Sequence, residues 1–402
     1  MVDGTTMFTS CTSLTGNNEN GWFIPLPSLS VAYQMFYGDS NLKGFVSDMP
    51  VLTIGARMFY GCSNLFNFQG KLSNLENGAE MFYNCTNLEV LTDTPYCYYD
   101  AARNVFKNVI NQIDLSNLRF ARRMFENCTK IKSFSARLDN LRDGLWMFKN
   151  CQLSDWNVSS LPSLVDGWEM FLNNSTLTSF VCDMSELKRA SQMFSGCSLL
   201  TEFMADLSSV VYGNGMFDGC KLSPESVANI AFSLPTLKLD DNGNKITNVQ
   251  TYIEKHGLGG NATSSSFDNN SLGNKMYSFE SIGIDCANTE EARTQFANDA
   301  GFDNWADLES EFTNKNWNVT FQNNGVTAQD VTETMSFYTK LVQIDYNPDS
   351  EELQSIPQYV SNDGSTFYNI EWHNDTKGIV KPDFDEYESF TQAITNYGVK
   401  SL

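Results

Sequence analysis

Histidine is almost absent. Only His256 and His373 occur in 402 residues, in dissimilar contexts, so a histidine-built metal cluster is excluded. Basic residues are also scarce: 26 Lys and Arg stand against 48 Asp and Glu, a formal net charge of −22. That excess repels phosphate backbones and anionic lipid, so neither nucleic acid nor a membrane surface is an expected partner. It also keeps an exposed structural protein soluble. No uninterrupted apolar stretch approaches the ~18 residues of a membrane span, so no membrane insertion is expected. The opening MVDGTTMFTS has neither a basic nor an apolar leader region, which predicts no secretory signal. No C-x-x-C pair and no G-x-S-x-G elbow is present. HGLGG at residues 256–260 lacks the Lys-Ser/Thr pair of a phosphate loop. These absences leave no cofactor, no metal and no catalytic residue to name.

What the chain has instead is repetition. MFYGCSNLFNF begins at Met58 and MFYNCTNLEVL at Met81. Met-Phe pairs also start at Met7, Met35, Met124, Met147, Met170, Met193 and Met216, and Val105-Phe106 reads as a degenerate copy. Most steps are 23 residues. A step of 28 after Met7 predicts an insertion, and one of 19 after Val105 predicts a four-residue deletion. The pattern starts at Met7 with almost nothing before it, so a partner is expected over that end, or sequence upstream of Met1.

Counting Met as zero, offset 4 is Cys in seven copies: Cys11, Cys62, Cys85, Cys128, Cys151, Cys197 and Cys220. Leu42, Leu65, Leu88 and Leu177 hold offset 7. Phe45, Phe68, Phe134, Phe180 and Phe203 hold offset 10, and small residues follow at offset 12. Offset 20 is Gly at residues 55, 78, 144, 167 and 213. Offsets 0, 1 and 4 predict one side of a helical turn. Offsets 10 and 12 predict the inward residues of a short strand, and the Gly a tight bend. One such unit cannot bury its apolar side alone, but stacked units can, as a rod of roughly 45–50 Å for ten copies.

The seven offset-4 cysteines are replaced singly, by Asp39, Val109 and Asn174. Disulfides are lost in pairs, so a ladder of buried, reduced thiols is predicted. It suits assembly in a reducing cytoplasm.

The Met-Phe-x-x-Cys-x-x-Leu register resembles the BspA-like leucine-rich repeats of bacterial surface proteins, and kindred repeats of mycoplasma surface lipoproteins. Over about residues 5–222 the resemblance implies a right-handed leucine-rich-repeat solenoid, with short parallel strands on one face. The expected organisation is a solenoid of about ten repeats over 1–222, a capping helix, hairpin and α+β module over 223–325, and a small α+β module over 326–402.

In the second region, Ser223 and Pro224 predict a helix start, with Val227, Ile230, Ala231 and Leu234 on one face. A hairpin is expected around 240–244. Its D-D-N-G-N resembles part of a calcium loop but lacks the Glu at the twelfth position. Residues 257–273 read as loop. MYSFESIGID and WNVTFQ read as strands, and 289–314 as two helices broken near Gly301. In the last region MSFYTKLVQIDY reads as a strand, PQYVSNDGSTFYNIEW as a hairpin, and DEYESFTQAITNYG as an amphipathic helix.

The outward strand residues, at offsets 9, 11 and 13, are the expected contact surface: Gln69, Lys71, Thr92, Ser135, Arg137, Val181 and Met204. Asp183 and Asp206 would be stacked neighbours and read as a solvated edge, although some phage solenoids cleave polysaccharide with paired acids. Extended repeat faces serve binding, so a non-enzymatic structural or binding protein is expected. Its partners would be a protein or glycan on a bacterial surface, other virion proteins, or further copies of itself. The order of repeats, LSPESV helix, SFESIGID strand, GFDNWADL helix and small α+β terminus resembles tail- and fibre-type proteins of gut bacteriophages. That implies a virion subunit assembled in the host cytoplasm. The alternatives are a bacterial surface adhesin and a polysaccharide depolymerase.

Overall fold

The computed structural model describes residues 2–16, 22–23, 25–93, 98–100, 105–107, 112–258 and 275–325, and three short strands within 358–401. Two compact units are present, Met1–Gly325 and Val326–Leu402.

In the first unit each Met-Phe phrase is one rung. The chain there is not a helical turn but a run of overlapping turns, with left-handed residues on both sides of Met-Phe. Offset −1 has φ between 52° and 64° in all nine rungs, and offset +3 between 57° and 77°. Offset +3 is Gly or Asn in eight of them, the residues that adopt this region at least cost, and Ser10 in the first. The alternation turns every second peptide outward along the stack. Thus the N–H groups of Arg57, Phe59 and Gly61 donate to the carbonyls of Ala79, Met81 and Tyr83 one rung on. Those of Met58, Tyr60 and Cys62 donate within the rung, to Gly55, Arg57 and Phe59. No backbone donor in this stretch is wasted, although the stack buries it.

Parallel bridges continue this seam without interruption, from Asp3 through Val31, Ile54, Asn77, Phe120, Asp143, Asp166 and Arg189 to Tyr212. Asn77 pairs with Phe120, so the rung at Met81 stacks directly on the rung at Met124. The rings of Phe82 and Phe125 are stacked 5.4 Å apart and nearly parallel. Val105-Phe106 is therefore not a rung. It lies in β6 (Val105–Lys107), which pairs antiparallel with β5 (Tyr98–Asp100) inside an insertion. The rung leaves after Thr92 and resumes at Gln112, which pairs with Ser135. The described ladder has nine Met-Phe rungs and no four-residue deletion.

The strand side is β1 (Trp22–Phe23), β2 (Gly44–Val46), β3 (Asn67–Gln69) and β4 (Val90–Thr92), paired in parallel. The pairing restarts with β7 (Gln112–Asp114), β8 (Ser133–Arg137) and β9 (Asp155–Trp156). A further parallel pair is β10 (Ser179–Val181) with β11 (Glu202–Met204).

Two aromatic columns fill the interior. The offset-1 rings stack from Phe8 to Phe217. The offset-10 rings meet them edge-on, as Phe134 meets Phe148 at 4.7 Å. All five offset-10 phenylalanines are buried. The offset-20 glycines serve close approach rather than bending: none has positive φ. A Cβ on Gly78 would stand 3.0 Å from the Met124 Sδ.

The last rung opens into β12 (Phe217–Leu222), which pairs in parallel with β13 (Ser278–Ile284), itself paired with β14 (Asn318–Asn323). Phe279 of β13 continues the offset-1 column beyond Phe217, and Trp317 covers Phe279 edge-on. Helix α1 (Pro224–Ser233) starts at the Ser223 cap and buries Val227, Ile230 and Ala231. Helices α3 (Glu290–Asp299) and α4 (Trp305–Thr313) break at Gly301, where φ is +87°. The hairpin expected around 240–244 is only a turn. The Asp240 carboxylate accepts the Asn242 and Asn244 N–H groups, and a helix, α2 (Val249–His256), follows from an Asn248 cap. That use of Asp240 also accounts for the D-D-N-G-N run.

In the second unit, β15 (Gln358–Val360) and β16 (Phe367–Glu371) pair antiparallel, and β17 (Lys400–Ser401) joins β16; the Asn-Asp-Gly expected at the hairpin tip lies outside the described residues. The strand expected in MSFYTKLVQIDY and the helix expected in DEYESFTQAITNYG lie outside the described residues, as does most of the 257–273 loop.

Candidate binding faces

The strand side divides at the insertion. Val181 is 53% exposed and Met204 40%; they pair in register across β10 and β11. Arg137 is exposed at the end of β8 beside Asp139, at 2.6 Å. Ser135 is half-buried and Lys71 exposed. Gln69 and Thr92 are buried, at 4% and 0% exposure, and do not belong to an open face. They stand opposite each other in β3 and β4, with Asn67 and Val90 buried beside them, next to the point where the insertion leaves the ladder. Gln69 donates to the Asn67 Oδ1 at 3.2 Å. Apart from exposed Lys71, the open part of the expected surface is therefore the stretch from Arg137 to Met204.

Asp183 and Asp206 are exposed, and each has turn duties. Their Oδ1 atoms accept the N–H of Ser185 at 3.1 Å and of Ser208 at 2.8 Å.

The offset-4 slot is a donor site. Cys62, Cys85, Cys128, Cys151, Cys197 and Cys220 point their thiols at the offset-1 carbonyl of the preceding rung, at 3.0–3.3 Å. Asn174 fills the slot with its amide, donating to Phe148 and Phe171. Burial pushes the Cys151 and Cys197 thiols up to about 12. Cys11, in the first rung, is exposed, a correction to the uniformly buried ladder; no described rung precedes it. All nine cysteines among the described residues are free. Among those residues no group of three metal-binding side chains occurs. His256 accepts the Lys238 N–H through Nε2 and packs on Tyr252, within the cap. His373 lies outside the described residues.

The turn side carries columns of its own. Tyr37, Tyr60 and Tyr83 stack at 4.6 Å spacings. Asn84, Asn127, Asn150 and Asn173 form an amide ladder of 2.6–3.0 Å bonds. Arg123 lies 4.0 Å over Trp146, and Arg189, paired with Asp166 at 2.7 Å, lies over Trp168.

The third side holds a groove of about 370 Å³ over Glu76, Asn117, Arg119, Asn140, Arg142 and Ser163. Glu76, Arg119 and Arg142 occupy one offset on consecutive rungs. Asn117, Asn140 and Ser163 occupy the offset two residues earlier. Apolar periodicity reports neither column. The signal was present: five of the nine arginines fall between 119 and 142.

Comparison with known proteins gives one positive result. A family model described as BspA type leucine rich repeat region matches residues 29–154 and 124–233, with six copies. No curated protein and no solved structure matches the chain. The matched residues span 29–233, just over half of the chain, and coincide with the ladder of Met-Phe rungs. The chain belongs to the BspA-type leucine-rich-repeat family.

Proposed function

We propose that this chain is a non-enzymatic binding protein that makes contact through the C-terminal half of its strand face. The carrying observation is the pairing of exposed Val181 with exposed Met204 on adjacent parallel strands, with exposed Arg137 on the same side two rungs before Val181. Two large apolar side chains held side by side on a rigid scaffold form a preorganised contact. The partner is a protein or glycan on a bacterial surface, or another virion component.

The free thiols support assembly in a reducing cytoplasm, and with it a fibre- or tail-associated virion subunit. Membership of the BspA-type family favours a second reading, an adhesin displayed on the bacterial surface.

The test is retention of the purified chain on intact gut bacteria and on their extracted glycans, scored also for oligosaccharide release. Retention that is lost in Met204→Asp, at an unchanged melting temperature, supports the strand face. Equal retention of that variant overturns it, and release of oligosaccharide overturns the non-enzymatic assignment.

A further inference from the structure

We propose that the Arg119–Arg142 groove is a second binding site, on another side of the solenoid, that takes a carboxylate-bearing sugar of an acidic glycan. The inference goes beyond the strand-face reading and does not depend on it.

The charge pattern comes first. The chain is strongly acidic, yet Arg119 and Arg142 sit on consecutive rungs, joined by the bond from the Arg142 N–H to the Arg119 carbonyl at 3.1 Å. Rungs bonded in this way stand about 4.8 Å apart, so two like charges are held close together. Arg57, Arg123, Arg137 and Arg189 each have a carboxylate partner. Arg119 and Arg142 have none within ion-pair distance among the described residues, and both are exposed. Glu76 borders the groove one rung from Arg119 without pairing with it. Arg119 lies 5.6 Å over the Phe120 ring, which leaves its N–H edges free; a guanidinium couple with no carboxylate partner is a fork for one, which it can hold through two parallel N–H···O bonds.

The rest of the lining selects the ligand class. Asn117 and Asn140 donate their amide N–H groups to the carbonyls of Ser73 and Ser116, both at 2.7 Å. Their Oδ1 atoms are left as acceptors. Ser163 donates to the Asp139 carbonyl at 2.9 Å, which leaves its oxygen as an acceptor too. The groove therefore offers two cationic donors and, with Glu76, four acceptor groups, and its lining residues are all polar. A ligand with one carboxylate and several hydroxyls matches that inventory, and an acidic sugar is such a ligand. Peptides are anchored chiefly by aromatic and apolar side chains, for which this lining has no pocket. The Arg-plus-Asn pattern repeats on two rungs, so a polymer with repeated acidic units can engage it more than once. The volume lies within the ~300–1,000 Å³ range of small-molecule clefts.

The test is calorimetric titration of the full chain with a tetrasaccharide of alternating glucuronic acid and N-acetylglucosamine, and with its carboxyl-reduced counterpart. The acidic form is expected to bind with a dissociation constant of roughly 0.1–1 mM. The reduced form should bind at least about tenfold more weakly, as the loss of a charge-assisted contact predicts. The Arg119→Gln/Arg142→Gln variant should show the same loss at an unchanged melting temperature, while Met204→Asp should bind like wild type. Equal binding of the two sugars, or no binding of either, overturns the proposal, and that comparison needs only the wild-type chain. A glutamate oligopeptide that binds as tightly and competes overturns the sugar assignment in favour of an acidic peptide. Displacement by an equal concentration of inorganic sulfate reduces the groove to a general anion site and also overturns it.

Discussion

The thiol of Cys85 lies 3.1 Å from the carbonyl oxygen of Phe59, one rung below. The sulfur both fills the core and gives a second donor to a carbonyl that already accepts the Cys62 N–H within its own rung. Cys85→Ala removes the donor and opens a small void, and is expected to cost about 1–3 kcal/mol. Thermal melting of the variant against wild type checks this. In native protein a thiol-reactive dye should label Cys11 ahead of the other six column cysteines, since burial raises their pKa values and shuts out reagent.

Asp39 occupies that slot in the second rung, fully buried, and neither carboxyl oxygen makes a well-aligned hydrogen bond. Burial lifts the acid from 3.8 to about 6, against a weaker opposing pull from the Cys11 backbone N–H. The folded state then holds the proton more tightly than the unfolded chain. This contribution to stability is full below pH 3.8 and is lost as pH rises through about 6. Asp39→Asn, which supplies the amide that Asn174 uses, should be more stable than wild type at pH 7. The gain should shrink as pH falls toward 4. Melting curves across that range check it, and the difference between the two proteins cancels the raised acids Asp143 and Asp166.

Gly283 in β13 leaves no room for a side chain. A Cβ there would stand 2.2 Å from the Cys220 carbonyl oxygen and 2.5 Å from the Cys220 nitrogen. Backbone cannot yield as a side-chain tip does, so Gly283→Ala must separate β12 from β13. The expected loss is at least about 2 kcal/mol, together with faster proteolysis of the 223–325 segment. Gly301→Ala has nothing within 4 Å to meet. Its φ of +87° predicts a smaller cost, about 1 kcal/mol, by the same measurements.

Inside and outside can be told apart by one pair of variants. Phe134 is 2% exposed and packs on Phe125, Phe148 and Trp156. Phe134→Ala should cost about 3–5 kcal/mol. Arg137→Glu, three residues on, loses only an exposed ion pair to Asp139, within about 1 kcal/mol. On the proposed strand-face reading, its retention on bacterial surfaces should weaken while its melting temperature stays close to that of wild type.

The columns of Met, Phe, Cys and Leu were legible in the sequence because every rung reuses the same contacts, so nine copies vote on each position. The inward placement of Phe134 and Cys128 follows from that register, and the capping role of Ser223 from the Pro that follows it at the first helical position. Val105-Phe106 misled because a two-residue match at nearly the right spacing carries no information about pairing. Only the bridge from Asn77 to Phe120 decides it. Gln69 and Thr92 had the alternation of outward residues and are nonetheless buried, because burial depends on what packs across the face. The offset-20 glycines were legible as small. Their reason lies far along the chain: the sulfur of a Met on the next rung, 26 residues from Gly55, Gly144 and Gly167 and 46 from Gly78, and the ring of Phe279 for Gly213. The Arg119–Arg142 groove was hidden because its residues matter by charge and stacking, which hydrophobic periodicity does not report.

The two extra lengths of chain both enter on the strand side, one before Trp22 and one after Thr92, and the seam of turns from Asp3 to Tyr212 runs past both without losing step. One margin of the molecule thus keeps time while the other is open to improvisation. New surface can be spliced into the strand margin without renegotiating the core, whereas a single residue added among the turns would break the pairing of that rung with the rungs on both sides.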